Sequence, residues 1–327
     1  MARKAIKKRT RQRTADTDLK LADFQVPGEK SAYWQGILVM LLPFVVIAAV
    51  FAVQVFSEAA SSYSSGMHGK WWLPLEVIAY PLLCIPVLNW LAVRPRREKL
   101  KQAGSQARVM TKTHPELKAM LSEQARLLKI PEPEMYVVDD DAAYAWVMPG
   151  KRSVILISKP VLATLNGPEI AAIVARQMGH IKAHHVRIAQ AVTYYRLANP
   201  LWKILLFPTG IFVASLRGWI ELIEYTADRV AVLVTGRPAI VNAALAKLAV
   251  AADPQAEITP RELENYMRSA ADIASDGEQM QLHFKVGVFL SSQKGLKERV
   301  EHVTEFAQTD QGKRAIEKIT QLKERSG

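Results

Sequence analysis

Two long apolar runs dominate the first third of the chain. Trp34 to Phe56 reads WQGILVMLLPFVVIAAVFAVQVF and contains no charge. Its length matches a bilayer core of roughly 30 Å. Trp71 to Val93 reads WWLPLEVIAYPLLCIPVLNWLAV, with Glu76 as its only charge. Trp71, Trp72 and Trp90 suit the two interfaces of such a span. The runs predict a transmembrane helical hairpin over 33–93, with spans at about 34–56 and 71–93. Pro43, Pro81 and Pro86 would kink the spans, which is tolerated where neighbours resatisfy the backbone. The polar lead before the first run is too long for a cleaved signal peptide, whose apolar core is also shorter, at about 7–15 residues.

Beyond the second run the pattern takes the periods of a water-soluble domain. His114 to Lys129 places Leu117, Met120, Leu121, Ala125 and Leu128 on one face, as an amphipathic helix does. IPEPEMYVVDDD leads into a short strand at Met135 to Val138, and the Pro-Gly turn of MPGKRSVILIS into a second at Val154 to Ser158. NGPEIAAIVARQMGHIKAHHVR then reads as a helix. Asn166 or Gly167 caps it, Pro168 stands near its first turn, and Glu169 favours the positive end of its dipole. Leu201 to Leu216 is apolar but broken by Lys203, Pro208 and Gly210. It reads either as a membrane-touching or re-entrant segment or as a buried core helix. A helix over Trp219 to Val234 follows, then several amphipathic helices from about Ala239, the last (Gly312 to Arg325) charged and solvated. The fold class is α+β, mostly helical with a small sheet. The organisation is a basic tail (1–32), the hairpin (33–93) and a domain from 94 to 327 with a membrane-touching segment at 201–216.

Charge adds an orientation. The 327-residue chain carries a net +12. Arg3, Lys4, Lys7, Lys8, Arg9, Arg11 and Arg13 cluster before the first run, and Arg94, Arg96, Arg97, Lys99 and Lys101 after the second. Basic residues beside spans stay on the cytoplasmic side. A multi-pass membrane protein with cytoplasmic tail and cytoplasmic domain is expected, with membrane lipids as partners and no nucleic acid. Cys84 is the one cysteine, so no disulfide forms within the chain.

The candidate chemistry lies in ARQMGHIKAHH, where Arg176 and His180 share one helix face, and in EYTADRVAV. These blocks, together with YVVDDDAAYA and SVILIS followed by PVLATLNGPEIAAIVA, resemble the HtpX-like and CAAX-prenyl-protease-like membrane zinc metallopeptidases. The resemblance implies a zincin-like domain in which two histidines four apart and a later Glu hold zinc. The Glu after the first His would activate the bound water. By the same resemblance the first His position is Arg176, the general-base position is Gln177, the second His is His180, the third ligand is Glu224, and the Asp one turn on is Asp228. Ala142 stands for a turn Asn. In SSQKGLKERV, Gln293 and Lys294 replace His-Pro while Arg299 remains.

Arginine offers no lone pair to a metal, and Gln177 cannot take a proton from water. A guanidinium beside zinc is repelled by several kcal/mol, on the order expected at an effective dielectric of about 20. No catalytic residue and no cofactor are therefore expected, and Arg176 is expected to pair with Glu224 and Asp228. The alternative is a zinc site rebuilt from His180, Glu224 and His184. The leading functional expectation is a membrane-anchored, inactive peptidase homologue. It would bind polypeptide at an edge strand formed by Val154, Ile155, Leu156, Ile157 and Ser158, or serve as a regulatory subunit of a membrane complex or homo-oligomer. The alternatives are an active metalloendopeptidase with an unorthodox site and a purely structural membrane subunit.

Overall fold

The computed structural model describes residues 19–61, 75–91 apart from 85 and 89, 108–109, 112–150, 152–252 and 296–324. They are mostly helical with one small sheet, and they divide into two compact units. The first is drawn from Met1–Val26, Glu98–Val186 and Glu221–Gly327, the second from Pro27–Arg97 and Arg187–Ile220.

The sheet belongs to the first unit. Strands β1 (Glu134–Val138), β2 (Ala145–Met148) and β3 (Val154–Ser158) lie in the order β1-β3-β2. β3 runs parallel to β1, pairing Glu134 with Val154, and antiparallel to β2, pairing Met148 with Val154. This corrects the expectation that Val154, Ile155, Leu156, Ile157 and Ser158 form a sheet edge, because β3 is the central strand and all five residues are buried. The physical reason lies in its composition. An unbroken apolar run has no polar face to present to solvent, so it settles between partners. One face, with Ile155 and Ile157, joins the main core with Leu121, Ala125 and Leu128. The other, with Val154, Leu156 and Met148, packs with Tyr136 and Trp146.

Helix α3 (Pro115–Leu127) buries Leu121, Ala125 and Leu127, and α4 (Lys159–Thr164) follows β3 directly. Helix α5 (Gly167–Lys182) starts with a capping box. The Asn166 side chain accepts from the Glu169 N–H at 3.0 Å, and the Glu169 carboxylate accepts from the Asn166 N–H at 2.9 Å. Lys247 holds the same carboxylate at 2.7 Å. From Ala172 to His180 every residue of α5 is buried, as befits a helix enclosed on several sides. Helices α9 (Arg217–Thr235), α10 (Pro238–Ala252), α11 (Leu296–Gln308) and α12 (Asp310–Glu324) complete the domain. The expectation that the last helix is solvated is only partly met. Gly312, Ala315 and Ile319 form a buried stripe at helical spacing, and the charges occupy the remaining faces.

Residues 19–26, placed by the sequence in the basic tail, are packed instead. Phe24 is fully buried in the main core, and the Val26 N–H donates to Thr226 Oγ1 at 3.1 Å. Apolar Leu19, Phe24 and Val26 give this stretch something to bury.

The second unit contains α1 (Glu29–Ser61), α2 (Leu75–Leu88), most of α6 (Val186–Leu197), α7 (Pro200–Leu205) and α8 (Phe207–Ser215). Within Glu29–Gln54 the most apolar 18-residue stretch of α1 has a mean hydropathy of 2.9, and the helix is long enough to cross a membrane. It is the one such helix among the described residues. α2 is shorter, and residues 71–74 and 92–93 of the second expected span lie outside the described residues. The broken apolar segment becomes two short helices, α7 and α8, with their junction between Leu205 and Phe207.

Candidate functional site

Two helices of the first unit carry the candidate chemistry. Along α5, Arg176 and His180 are one turn apart and face the same way. Along α9, Glu224 and Asp228 repeat that spacing. The helices come close at Gly179, where an added Cβ would lie 3.0 Å from Val230 Cβ and 3.2 Å from Ala227 Cα. The missing side chain lets the two polar faces meet.

The structure brings Arg176, His180, Glu224 and Asp228 into one buried cluster, with the partly buried Arg299 at its side. The Arg176 Nε donates to Asp228 Oδ1 at 3.0 Å, and its terminal nitrogen pairs with Glu224 Oε2. Arg299 grips Asp228 with two donors, Nε to Oδ2 at 2.9 Å and a terminal nitrogen to Oδ1 at 2.7 Å. Two guanidiniums and two carboxylates thus balance in charge. Carboxylates taken out of water need such partners, and the planar fork of arginine suits them.

His180 lies beside this lattice, its Nε2 3.9 Å from Glu224 Oε1, and neither atom has a hydrogen-bond partner among the described residues. Burial first, and then the positive charge of Arg176, holds the His180 imidazole well below its usual pKa, so it is neutral. Burial also dominates at Glu224. It pushes the carboxyl up to about 7 against the pull of Arg176 and Arg299, with Asp228 adding to the rise. Gln177 is fully buried, and neither atom of its carboxamide has a partner among the described residues.

A catalytic zinc needs three protein donors and an open position for water. The cluster offers two, His180 Nε2 and Glu224 Oε1, while the guanidinium of Arg176 already holds the other oxygen of Glu224. His184 does not join them. It is exposed at the end of α5, with φ of 61°, and its N–H caps Ile181. His185 is buried with its Nδ1 3.4 Å from that of His180. Among the described residues no three His, Cys, Asp or Glu side chains converge as a metal-binding set. The donors present do not fit a catalytic zinc ion.

Sequence reasoning understated Arg299, which it placed only as a family-motif position 71 residues from its partner. It also missed strand β2 and the capping pair Glu169–Lys247. Gln293 and Lys294 lie outside the described residues. Ala142 is exposed in the bend before β2, with its N–H 3.4 Å from Asp140 Oδ1.

A small mixed sheet lies in the same unit as His180 on one helix and Glu224 with Asp228 on another, an arrangement in keeping with a metallopeptidase-like domain. The comparison with known sequences agrees: the profile of peptidase family M48 matches residues 111–307, and the chain belongs to that family. Its relatives include HtpX proteases. A protease HtpX homolog of Tropheryma whipplei (strain TW08/27) is 28% identical over 149 residues, covering 36% of this chain and 51% of that protein. The plastoglobule-localized metallopeptidase 48 of Arabidopsis thaliana chloroplasts is 28% identical over 155 residues, covering 46% of this chain and 44% of that protein. The chain thus spans about half the length of the curated relatives it matches. No solved structure matches it.

Proposed function

We propose that this chain is a membrane-anchored, catalytically silent member of family M48, in which an internal ion cluster occupies the place of the metal. The observation that carries the reading is the buried guanidinium of Arg176, bound to Asp228 and Glu224 where a metal ligand would be needed. Gln177 supports it, since a carboxamide cannot take up the proton that a general base must accept. The domain from residue 94 onward is read as zincin-like and cytoplasmic, held by a two-helix hairpin over 33–93. The exposed apolar length of α1 and the basic residues flanking both runs support this arrangement. The function is then recognition: a polypeptide or protein partner bound without cleavage, as a regulatory or complex-forming subunit. Strand addition would use the outer side of β2, a terminal strand of the sheet.

The test is the double variant Arg176→His with Gln177→Glu in the full-length protein. The variant is expected to bind zinc stoichiometrically and to hydrolyse an unfolded protein substrate, while the unaltered chain does neither. Chelator-sensitive hydrolysis by the unaltered chain would refute the reading.

A further inference from the structure

The described residues place every exposed large apolar side chain in the second unit, along α1, along α2 and its continuation at Trp90, and along α7 and the start of α8. The last group is the unexpected one. Leu201 and Ile204 are 71% and 72% exposed, and Leu205 and Phe207 join them, on helices far too short to span a bilayer.

Contacts with α1 and α2 show how this segment runs. Trp219 lies 5.7 Å from Tyr33 ring to ring, Ser215 Oγ donates to the Gly36 carbonyl at 2.9 Å, and Phe207 lies 5.8 Å from Phe44. Going forward along α8 therefore means going backward along α1. The two helices are antiparallel and close, and a Cβ at Gly36 would come within 2.8 Å of Leu216 Cδ2. At the other end Tyr80 of α2 donates to the Leu205 carbonyl at 2.6 Å, and its ring lies tilted 5.9 Å from that of Phe207. The incoming arm is anchored too, with Ala191 and Leu206 packed on Cys84, Leu88 and Leu91. Residues 187–216 thus rise along α1 and α2, turn at α7 and descend.

We propose that residues 198–216 form a re-entrant hairpin that enters the bilayer beside Tyr33 and turns back near its midplane, with Leu201, Ile204, Leu205 and Phe207 against lipid acyl chains. This rests on the reading of α1 as a membrane span. The depth follows from helix rise. Tyr33 to Phe44 is eleven residue steps, about 16 Å at ~1.5 Å each, which is about half of a hydrocarbon core of roughly 30 Å. Backbone polarity allows it, because α7 and α8 are hydrogen-bonded helices. The Asn199 side chain caps α7 by accepting from the Trp202 N–H at 3.0 Å, and the carbonyls of Leu205 and Lys203 accept from Tyr80 and Tyr195. Lys203 is the only charge between Arg196 and Arg217. It stands on the turn, where its ammonium needs a polar partner or local water, as charged side chains at membrane depth do. In chain order the hairpin lies between His180 and Glu224.

The test uses full-length protein in liposomes, with Cys84→Ser removing the single native thiol. Cysteines placed one at a time at Leu201, Ile204 and Val45 carry an environment-sensitive fluorophore. Quenchers are iodide in the water and nitroxide lipids labelled at the headgroup or deep in the acyl chain. At Leu201 and Ile204 the deep nitroxide is expected to quench at least about twofold more than the shallow one, with iodide nearly inert, as for a site near the centre of a core of roughly 30 Å. Shallow quenching or iodide quenching at both positions, with Val45 still lipid-quenched, overturns the hairpin and leaves the anchor standing. Iodide quenching at Val45 overturns the membrane reading itself.

Discussion

At the scale of single residues, Arg176 ties the two carboxylates of the cluster together. Its guanidinium lies between two buried carboxylates, and removing it strands Glu224 while Asp228 keeps Arg299. Breaking a buried pair by deleting one partner costs about 3–5 kcal/mol, because the remaining charge has no solvent to turn to. Arg176→Ala is therefore expected to lower unfolding free energy by about that amount in denaturant titration. Asp228 retains its second guanidinium, and Glu224 can take up a proton, so the lower end of the range is the better expectation. An unchanged denaturation midpoint would show that the pair contributes nothing. Arg176 and His180 were legible as neighbours because a four-residue interval on a helix is local geometry. The double grip of Arg299 on Asp228 was not, since nothing local links positions 71 residues apart.

At the scale of elements, the site depends on how closely α5 and α9 approach. Gly179 sets that distance, with Val230 Cβ and Ala227 Cα within 3.2 Å of where a Cβ would sit. Ala227 contributes backbone there, which cannot rotate aside. Gly179→Ala raises helix propensity, worth about 1 kcal/mol in its favour, but overpacking of a tight core costs about 1–3 kcal/mol. The net expectation is destabilisation, accompanied by separation of Arg176 from Glu224. A measured gain in stability would mean that the helices part freely. The helices themselves were readable: Asn166, Pro168 and Glu169 announce the start of α5, and the structure begins it at Gly167. The sheet was read less well. Whether Val154–Ser158 lies at an edge or in the middle depends on β2, four residues after an Asp-rich bend, whose pairing is a tertiary fact. The unbroken apolar composition of VILIS was the available signal for a central strand.

At the scale of the whole molecule, the ion cluster imposes a pH dependence on stability. Glu224 has its carboxyl raised from 4.5 to about 7 by burial. Between those values the folded protein holds a proton that the unfolded chain has released, so this group's contribution is complete below 4.5 and is lost as pH rises through 7. The full span corresponds to about 3 kcal/mol. His180 acts with the opposite sign. Its depressed pKa keeps it neutral in the fold, so its contribution is present above the usual histidine range and is lost as pH falls below it. The two trends partly cancel in the unaltered protein, and a nearly flat profile there would conceal both. Comparison with Glu224→Gln separates them, since His180 is common to both proteins. The stability of the unaltered protein minus that of the variant is expected to fall by about 3 kcal/mol from pH 4.5 to 7. A difference that rises over that window would mean that Glu224 is held ionised by its two arginines, with the guanidiniums outweighing burial. A constant difference would mean that the carboxyl keeps its unfolded-state pKa and that the cluster is open to water.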